Sequence, residues 1–332
     1  MPINSERRIL ITGGGGFIGY HLAHYLSQEP GNKLVLVDNF SRGKHDGELE
    51  ALVGKPNVHL LSADLTNKEL YSTLGGNYDD VYHLAAIIGV RNVLDHPLKV
   101  LNVNMTATLN LLEWFVNEGG QKLIFASTSE VYAWTQMFHP LPIPTPEYVP
   151  LSLTELSNPR STYAGTKIFG ELAVTQYCNV HNRPFVIVRF HNVYGPRMGN
   201  EHVIPQLYYR ALNDQKPLSV YSSKHRRAFC YVSDAVTATV EAMYAEAANG
   251  QTINIGNDQQ EVEIGELARM ILKEANLPVA ISPQVADYDP IQRRCPDISL
   301  ARQLLSYQPL INLKEGLGLT LDWYKNHYKS KD

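Results

Sequence analysis

The stretch "RRILITGGGGFIGYHLAHYL", residues 7–26, sets four consecutive glycines between an apolar run and an amphipathic one. The apolar run is rich in β-branched residues and reads as a buried strand, while the segment from Phe17 onward has helical spacing. A strand that hands over to a helix this abruptly needs a tight turn, and glycine takes positive φ there without strain. The spacing is Gly13-x-x-Gly16-x-x-Gly19. Without Cβ atoms the backbone can be approached closely, and a helix starting at Phe17 and Ile18 offers free N–H groups and a positive dipole end to a pyrophosphate. The next predicted strand ends at Asp38, 19 residues beyond Gly19 and followed by Asn39, where a carboxylate can accept from ribose hydroxyls. Strand, glycines, helix and acid in this order predict a dinucleotide site. Asp38 would repel a 2′-phosphate, which favours NAD over NADP, whereas the nearby Arg42 and Lys44 soften that preference.

Strand and helix patterns go on alternating. Residues 33–38, 58–64, 81–86, 122–128 and 184–190 read as strands that are apolar at nearly every position, the mark of a parallel sheet buried on both faces. Residues 17–28, 97–119 and 162–182 carry helical spacing between them. Such alternation implies right-handed crossovers and an α/β fold with a doubly wound parallel (Rossmann) sheet. The 332 residues suffice for a second, smaller α/β lobe. We read residues 1–190 as an NAD-binding Rossmann domain, completed by about 230–260, with 191–229 and 261–332 forming a substrate-binding lobe. The stretch 137–160 holds six prolines and reads as a long non-helical connection.

Composition narrows the classes. A net charge of −4 gives no electrostatic case for nucleic acid or an anionic membrane. Cys178, Cys230 and Cys295 are far apart, odd in number and outside any metal-ligand pattern, so no metal is expected and free buried thiols in a reducing compartment are. "MPINSERRIL" lacks the pattern of a signal peptide and no apolar run approaches membrane-spanning length, which together predict a soluble cytoplasmic protein.

The chemistry concentrates in "FASTSEVY" and "STYAGTK". Tyr163-x-x-x-Lys167 places two side chains on one helix face. In a chain with 19 tyrosines that spacing alone proves little, and an ordinary amphipathic-helix tyrosine is the plain alternative. The predicted strand end at Thr128 adds weight. A lysine ammonium beside a cationic nicotinamide ring would lower the tyrosine pKa and make Tyr163 a general base. Thr128 would hydrogen-bond the same substrate oxygen, with Ser129 and Glu130 close by.

The order "TGGGGFIG", "DNFSRGK", "HLAA", "ASTSEVY", "YAGTK", "RFHNVYGPRMG", "RRAFCYVSDAV" and "NIGN" resembles the extended short-chain dehydrogenase/reductase family, in particular its nucleotide-sugar epimerases, dehydratases and decarboxylases. The resemblance implies tightly held NAD, a nucleotide-diphosphate sugar as substrate, and a homodimer joined through helices near 102–117 and 163–180. It implies that Gly13, Gly16 and Gly19 hold the pyrophosphate and Asp38 the adenosine ribose. Asp64 and Leu65 would flank the adenine, Ala85 would lie along the cofactor, and Lys167 would bind the nicotinamide ribose. Asn192 would contact the sugar diphosphate, Arg227 and Arg294 look like diphosphate-binding arginines, and Val203 and Tyr221 would sit near the base. His191 matches no catalytic role and reads as a satisfied core histidine.

All branches of that group begin with C4 oxidation to a 4-keto sugar, and the sequence signals diverge after it. "TSE" resembles UDP-glucuronate decarboxylases and GDP-mannose dehydratases; "GVRNVLDHPLKVLNVN" resembles uronate 4-epimerases; "YDPIQRRCPDISLARQLL" leans to decarboxylases. The expectation is an NAD-dependent nucleotide-sugar epimerase slightly ahead of a decarboxylase, then a 4,6-dehydratase, with a C4 dehydrogenase as a fourth possibility.

Overall fold

The computed structural model describes residues 6–213, 217–285 and 291–327. Residues Met1–Ser5 and the Tyr288–Pro290 part of the tail motif lie outside the described residues. Six strands carry the first half: β1 (Arg7–Thr12), β2 (Asn32–Asp38), β3 (Val58–Ser62), β4 (Tyr78–His83), β5 (Gly120–Thr128) and β6 (Phe185–Phe190). With Thr252–Ile255 they form one seven-stranded sheet in the order Thr252–Ile255, β6, β5, β4, β1, β2, β3. Every pairing in it is parallel. Along β1, Ile9 and Ile11 pack into a layer with Leu22, Ala23 and Leu26 of helix α1 (Phe17–Leu26), whereas Leu10 packs into the opposite layer with Leu111 and Val174. Alternate residues thus serve opposite layers, which is why the strands read as continuously apolar.

The doubly wound sheet matches the expectation. β4 ends at His83 rather than continuing through Ala86, because its partner β1 ends at Thr12 and the ladder stops at the pair Thr12↔His83. Leu84, Ala85 and Ala86 are therefore released into a loop. β3 likewise stops at Ser62, opposite Asp38, the last residue of β2. The helices Pro97–Trp114 and Ser161–Val180 pack together on one face of the sheet, and Val232–Tyr244 packs against α1 on the other. Residues 139–160 form no helix or strand beyond a single bridge, Thr145↔Pro296.

The remaining segments build small sheets at the C-terminal edge of the main one. Leu218–Tyr221 pairs with Ile281–Gln284, and Arg226–Ala228 lies between Glu261–Glu263 and Arg293–Arg294. Arg197 joins this region to the main sheet: its buried guanidinium meets Asp46 and Glu48 and lies 4.0 Å from the Tyr20 ring centroid. Cys178, Cys230 and Cys295 are buried and unpaired. Among the described residues no helix is long and apolar enough to cross a membrane.

A buried ion pair lies under the strand ends. Arg189 Nη2 stands 2.6 Å from Glu171 Oε2, and Ser127 Oγ donates to Glu171 Oε1 at 2.5 Å. Removing the cation would strand a carboxylate away from water. Arg189→Met is expected to cost about 3–5 kcal/mol of stability, read from urea unfolding. An unchanged midpoint would show that the pair carries no such weight.

Candidate active site

The crevice opens where β1 parts from β2 on one side and β4 on the other, at the carboxyl ends of the strands, as open α/β sheets dictate. It is a cavity of about 470 Å³. Gly13 sits at its floor with φ +74°, and a Cβ there would lie 2.9 Å from Ala85 N. A Cβ on Gly19 would lie 2.0 Å from Gly13 O. Gly16 starts α1 without any side-chain cap, so the first N–H groups of the helix, on Phe17, Ile18 and Gly19, are left for a ligand at the cavity wall. A glycine cradle that Cβ atoms would fill, ending on an uncapped helix, fits the pyrophosphate of NAD.

Asp38 closes one end of the cavity. Its Oδ2 accepts from Gly15 N–H at 3.0 Å and its Oδ1 from Phe40 N–H at 2.8 Å. Burial raises its pKa against the pull of these backbone bonds. Asn39 donates to Asp64 at 3.0 Å, and Asp64 also accepts from Thr66. Burial pushes the Asp64 carboxyl up, but the bonds from Thr66 and Asn39 outweigh it and hold it below the usual range. Leu65 and Ala85 line the same wall. The two basic residues expected to soften the NAD preference, Arg42 and Lys44, line the cavity as well. The Lys44 ammonium lies 5.4 Å from the Trp323 ring centroid, and Arg42 crosses the cleft toward Gly89, Gly199 and Glu201.

The chemical end lies where β5 runs into the helical turn Ser129–Tyr132. Thr128 is the last residue of β5, and its Oγ1 accepts from Glu130 N–H at 3.3 Å. Tyr163 and Lys167 stand in the first two turns of Ser161–Val180, and both face the cavity with Thr128, Ser129 and Glu130. Lys167 Nζ donates to Ala126 O at 2.6 Å, and burial lowers its pKa to about 8 against the opposing charge of Glu171. Tyr163 packs beside Ile87, Val93 and Val100. That burial, with Glu130 nearby, raises its pKa despite a hydrogen bond with Thr128. Lys167, its ammonium on the Ala126 carbonyl, shares the cavity with Tyr163. Glu130, the third residue of the "TSE" run, forms an ion pair with Arg294 across the cleft.

The residues expected at the sugar diphosphate divide. Asn192 lines the cavity, with φ +40° and its Nδ2 donating to Ala228 O at 2.9 Å. Arg294 lies at the Glu130 end, lining a small adjoining void with Ser129 and His191. Arg227, its register partner on the neighbouring strand, does not reach the cavity. Its buried guanidinium donates to the carbonyls of Arg226, Ile291 and Gln292 at 2.9, 2.8 and 3.3 Å. Val203, which opens the helix Val203–Leu212, and Tyr221, at the end of its short strand, also lie outside the cavity lining. His191 is satisfied on one nitrogen only: Nε2 meets Asn254 Oδ1 at 2.9 Å and Nδ1 has no partner among the described residues. Burial lowers its pKa to about 4, so the ring is neutral. Arg160, Glu201 and His202 line the cavity without having been singled out. Gly89, at φ +102° just before the helix Val90–Asp95, was the available sequence signal for that wall.

Residues 9–256 match the sequence profile of the NAD dependent epimerase/dehydratase family. The chain is 34% identical over 330 residues to a UDP-N-acetyl-alpha-D-glucosaminuronate decarboxylase of Bacillus cytotoxicus, covering 96% of this chain and 98% of that protein. It is 30% identical over 331 residues to a UDP-glucuronate 4-epimerase of Thermodesulfobacterium geofontis, covering 96% of each. Its fold superposes on the crystal structure of a UDP-glucuronic acid 4-epimerase from Bacillus cereus in complex with UDP-glucuronic acid and NAD. The TM-score is 0.83 at 29% identity, over 97% of this chain and all of that one.

If Asp38 claims the ribose hydroxyls, Asp38→Ala should weaken NAD binding by about 1.5–3 kcal/mol, the scale of a hydrogen bond to a charged group, and narrow the gap to NADP. Titration calorimetry reads both; unchanged NAD affinity would misplace the adenosine ribose.

Proposed function

The chain belongs to the NAD-dependent epimerase/dehydratase family, and we propose that within it the protein acts on a UDP-uronate, oxidising C4 and then removing the C6 carboxylate. Its cofactor is NAD. The observation that carries the second step is the Glu130–Arg294 ion pair beside Thr128 and Tyr163. Curated relatives that are UDP-uronate decarboxylases support it.

When bound, NAD supplies the hydride acceptor, and later the donor, for the sugar C4. The polypeptide supplies the rest. Tyr163 takes the proton of the C4 hydroxyl, and Thr128 hydrogen-bonds the same oxygen. Lys167 holds the nicotinamide ribose and brings a positive charge to the site. Once C4 is a ketone, the C6 carboxylate is β to it. The C5–C6 bond breaks as carbon dioxide leaves, its electron pair passes into the C4 carbonyl as an enolate that Tyr163 and Thr128 stabilise, and C5 then takes a proton from solvent, which restores the C4 ketone. Glu130 orients the ring, and Arg294 balances charge as the carboxylate departs. Asn192 contacts the sugar diphosphate, and segments 191–229 and 261–332 form the substrate lobe. Arg227 acts indirectly, by bracing the strand that carries Arg294. Val203 and Tyr221 remain candidates for the base end. We further propose a homodimer through Pro97–Trp114 and Ser161–Val180, which turn Leu98, Leu172 and Val180 to solvent.

Epimerisation at C4 is the second reading, favoured by the "GVRNVLDHP" wall and the fold match to a uronate 4-epimerase. It needs room to rotate a 4-keto ring but no carboxylate at position 130.

Mass spectrometry of the product from UDP-glucuronate separates the readings: loss of about 44 mass units supports decarboxylation, loss of about 18 dehydration, and an unchanged mass epimerisation. Tyr163→Phe should lower turnover by orders of magnitude while leaving UDP-sugar affinity nearly unchanged. Turnover close to wild type would remove Tyr163 from the chemistry. Glu130→Gln should still reduce its bound cofactor when substrate is added yet form little product. A loss below about tenfold would instead favour the epimerase.

A further inference from the structure

The proline-rich connection has a definite partner. Thr145 N–H donates to Cys295 O at 2.8 Å, and Asp297 N–H donates to Thr145 O at 2.9 Å. These two bonds clip the connection onto the segment that carries Arg294. Upstream, Gln136 Nε2 donates to Arg293 O at 3.0 Å, so the segment is held on both sides of Arg294.

A single residue of the main sheet reads both sides of this clip. Asn254 is fully buried on the edge strand Thr252–Ile255. Its Nδ2 donates to Thr145 O at 3.0 Å and to Asp297 O at 3.1 Å. Its Oδ1 accepts from Tyr132 O–H at 2.8 Å and pairs with His191 Nε2 at 2.9 Å. Both amide donors and both lone pairs are therefore used, leaving the side chain one orientation. The Asn254 backbone N–H donates to Glu147 Oε1 at 2.8 Å, and Arg189 Nη1 donates to Glu147 O at 2.8 Å, fastening the far end of the connection.

We propose that Asn254 is a positioning residue which, through the strap Thr145–Glu147, holds Arg294 against Glu130. This rests on the reading that Glu130 and Arg294 serve the step after C4 oxidation. Arg294 comes from an irregular region with only short strands, and its own sheet gives it little rigidity. The strap refers its position to the edge of the seven-stranded sheet, the same sheet whose β5 delivers Glu130. The device gives this long, proline-rich connection a fixed seat, and proline lowers the entropy lost when the strap is fixed.

Asn254→Asp keeps the volume but turns an oxygen toward the carbonyls of Thr145 and Asp297. The test is a double-mutant cycle with Arg294→Ala on the NAD-loaded enzyme, following cofactor reduction on adding UDP-glucuronate and product formation separately. Asn254→Asp alone should leave cofactor reduction within about threefold and slow product formation at least about tenfold. In the Arg294→Ala background it should add less than about twofold, because the group it positions is already gone. A similar further loss in that background, or equal loss of both steps, overturns the proposal. If Asn254→Asp does not fold by thermal melting, Glu147→Ala takes its place in the cycle. Glu147→Gln, which keeps the accepting oxygen, should then stay within about twofold of wild type, and its failure to rescue also overturns the proposal. A wild-type product of unchanged mass would refute the decarboxylase reading and this proposal with it, whereas a decarboxylated product with a failed cycle would refute the proposal alone.

Discussion

The structure depends on where a ladder of parallel hydrogen bonds stops. β1 pairs with β2 from Arg7 and with β4 from Ile9, and at Thr12 both ladders stop at once: β2 goes on to Asp38 and β4 ends at His83. Backbone beyond that point must turn sharply and find other bonds. The glycines meet the steric demand, with Gly13 N–H turning to Val37 O at 2.8 Å, and α1 starts without a side-chain cap among the described residues. A cleft with uncapped amides at its base and a carboxylate at one end suits a dinucleotide. Every functional residue is then placed by its distance along the strand ends from that point.

The second half of the site is organised by burial. Tyr163 and Lys167 are shielded from water, and each is pushed toward its neutral form. A tyrosine held neutral and a lysine with a softened proton are poised groups: the positive charge that arrives with the cofactor and the oxygen that arrives with the sugar decide their state. Beneath them, Glu171 joins the helix Ser161–Val180 to β5 through Ser127 and to β6 through Arg189, so the elements bearing Tyr163 and Thr128 are locked together. Arg294 is brought to this frame from the other side of the cleft.

Legibility in the sequence followed the range of the interactions. The glycine turn and Asp38 lie within one βαβ unit, and Tyr163 with Lys167 within one helical turn, so local spacing sufficed to single out residues that the fold brings to one cavity. β4 was placed three residues late because the ladder ends where its neighbour ends, which no single strand can reveal. Arg227, Val203 and Tyr221 lie outside the lining of the cavity, on elements whose placement is decided by contacts far along the chain. The Glu130–Arg294 pair spans 164 residues, and the Asn254–Thr145 bond 109. Neither has a local pattern.

The central claim is that the sugar is oxidised at C4 and the same hydrogen is returned there. Turnover of UDP-glucuronate deuterated at C4, with product analysed by mass spectrometry and NMR, tests it directly. The account predicts a slowed reaction and a product that keeps its deuterium on C4. Product that has exchanged that deuterium for solvent hydrogen, or a rate unaffected by the label together with a C4 centre that never reacts, would contradict it.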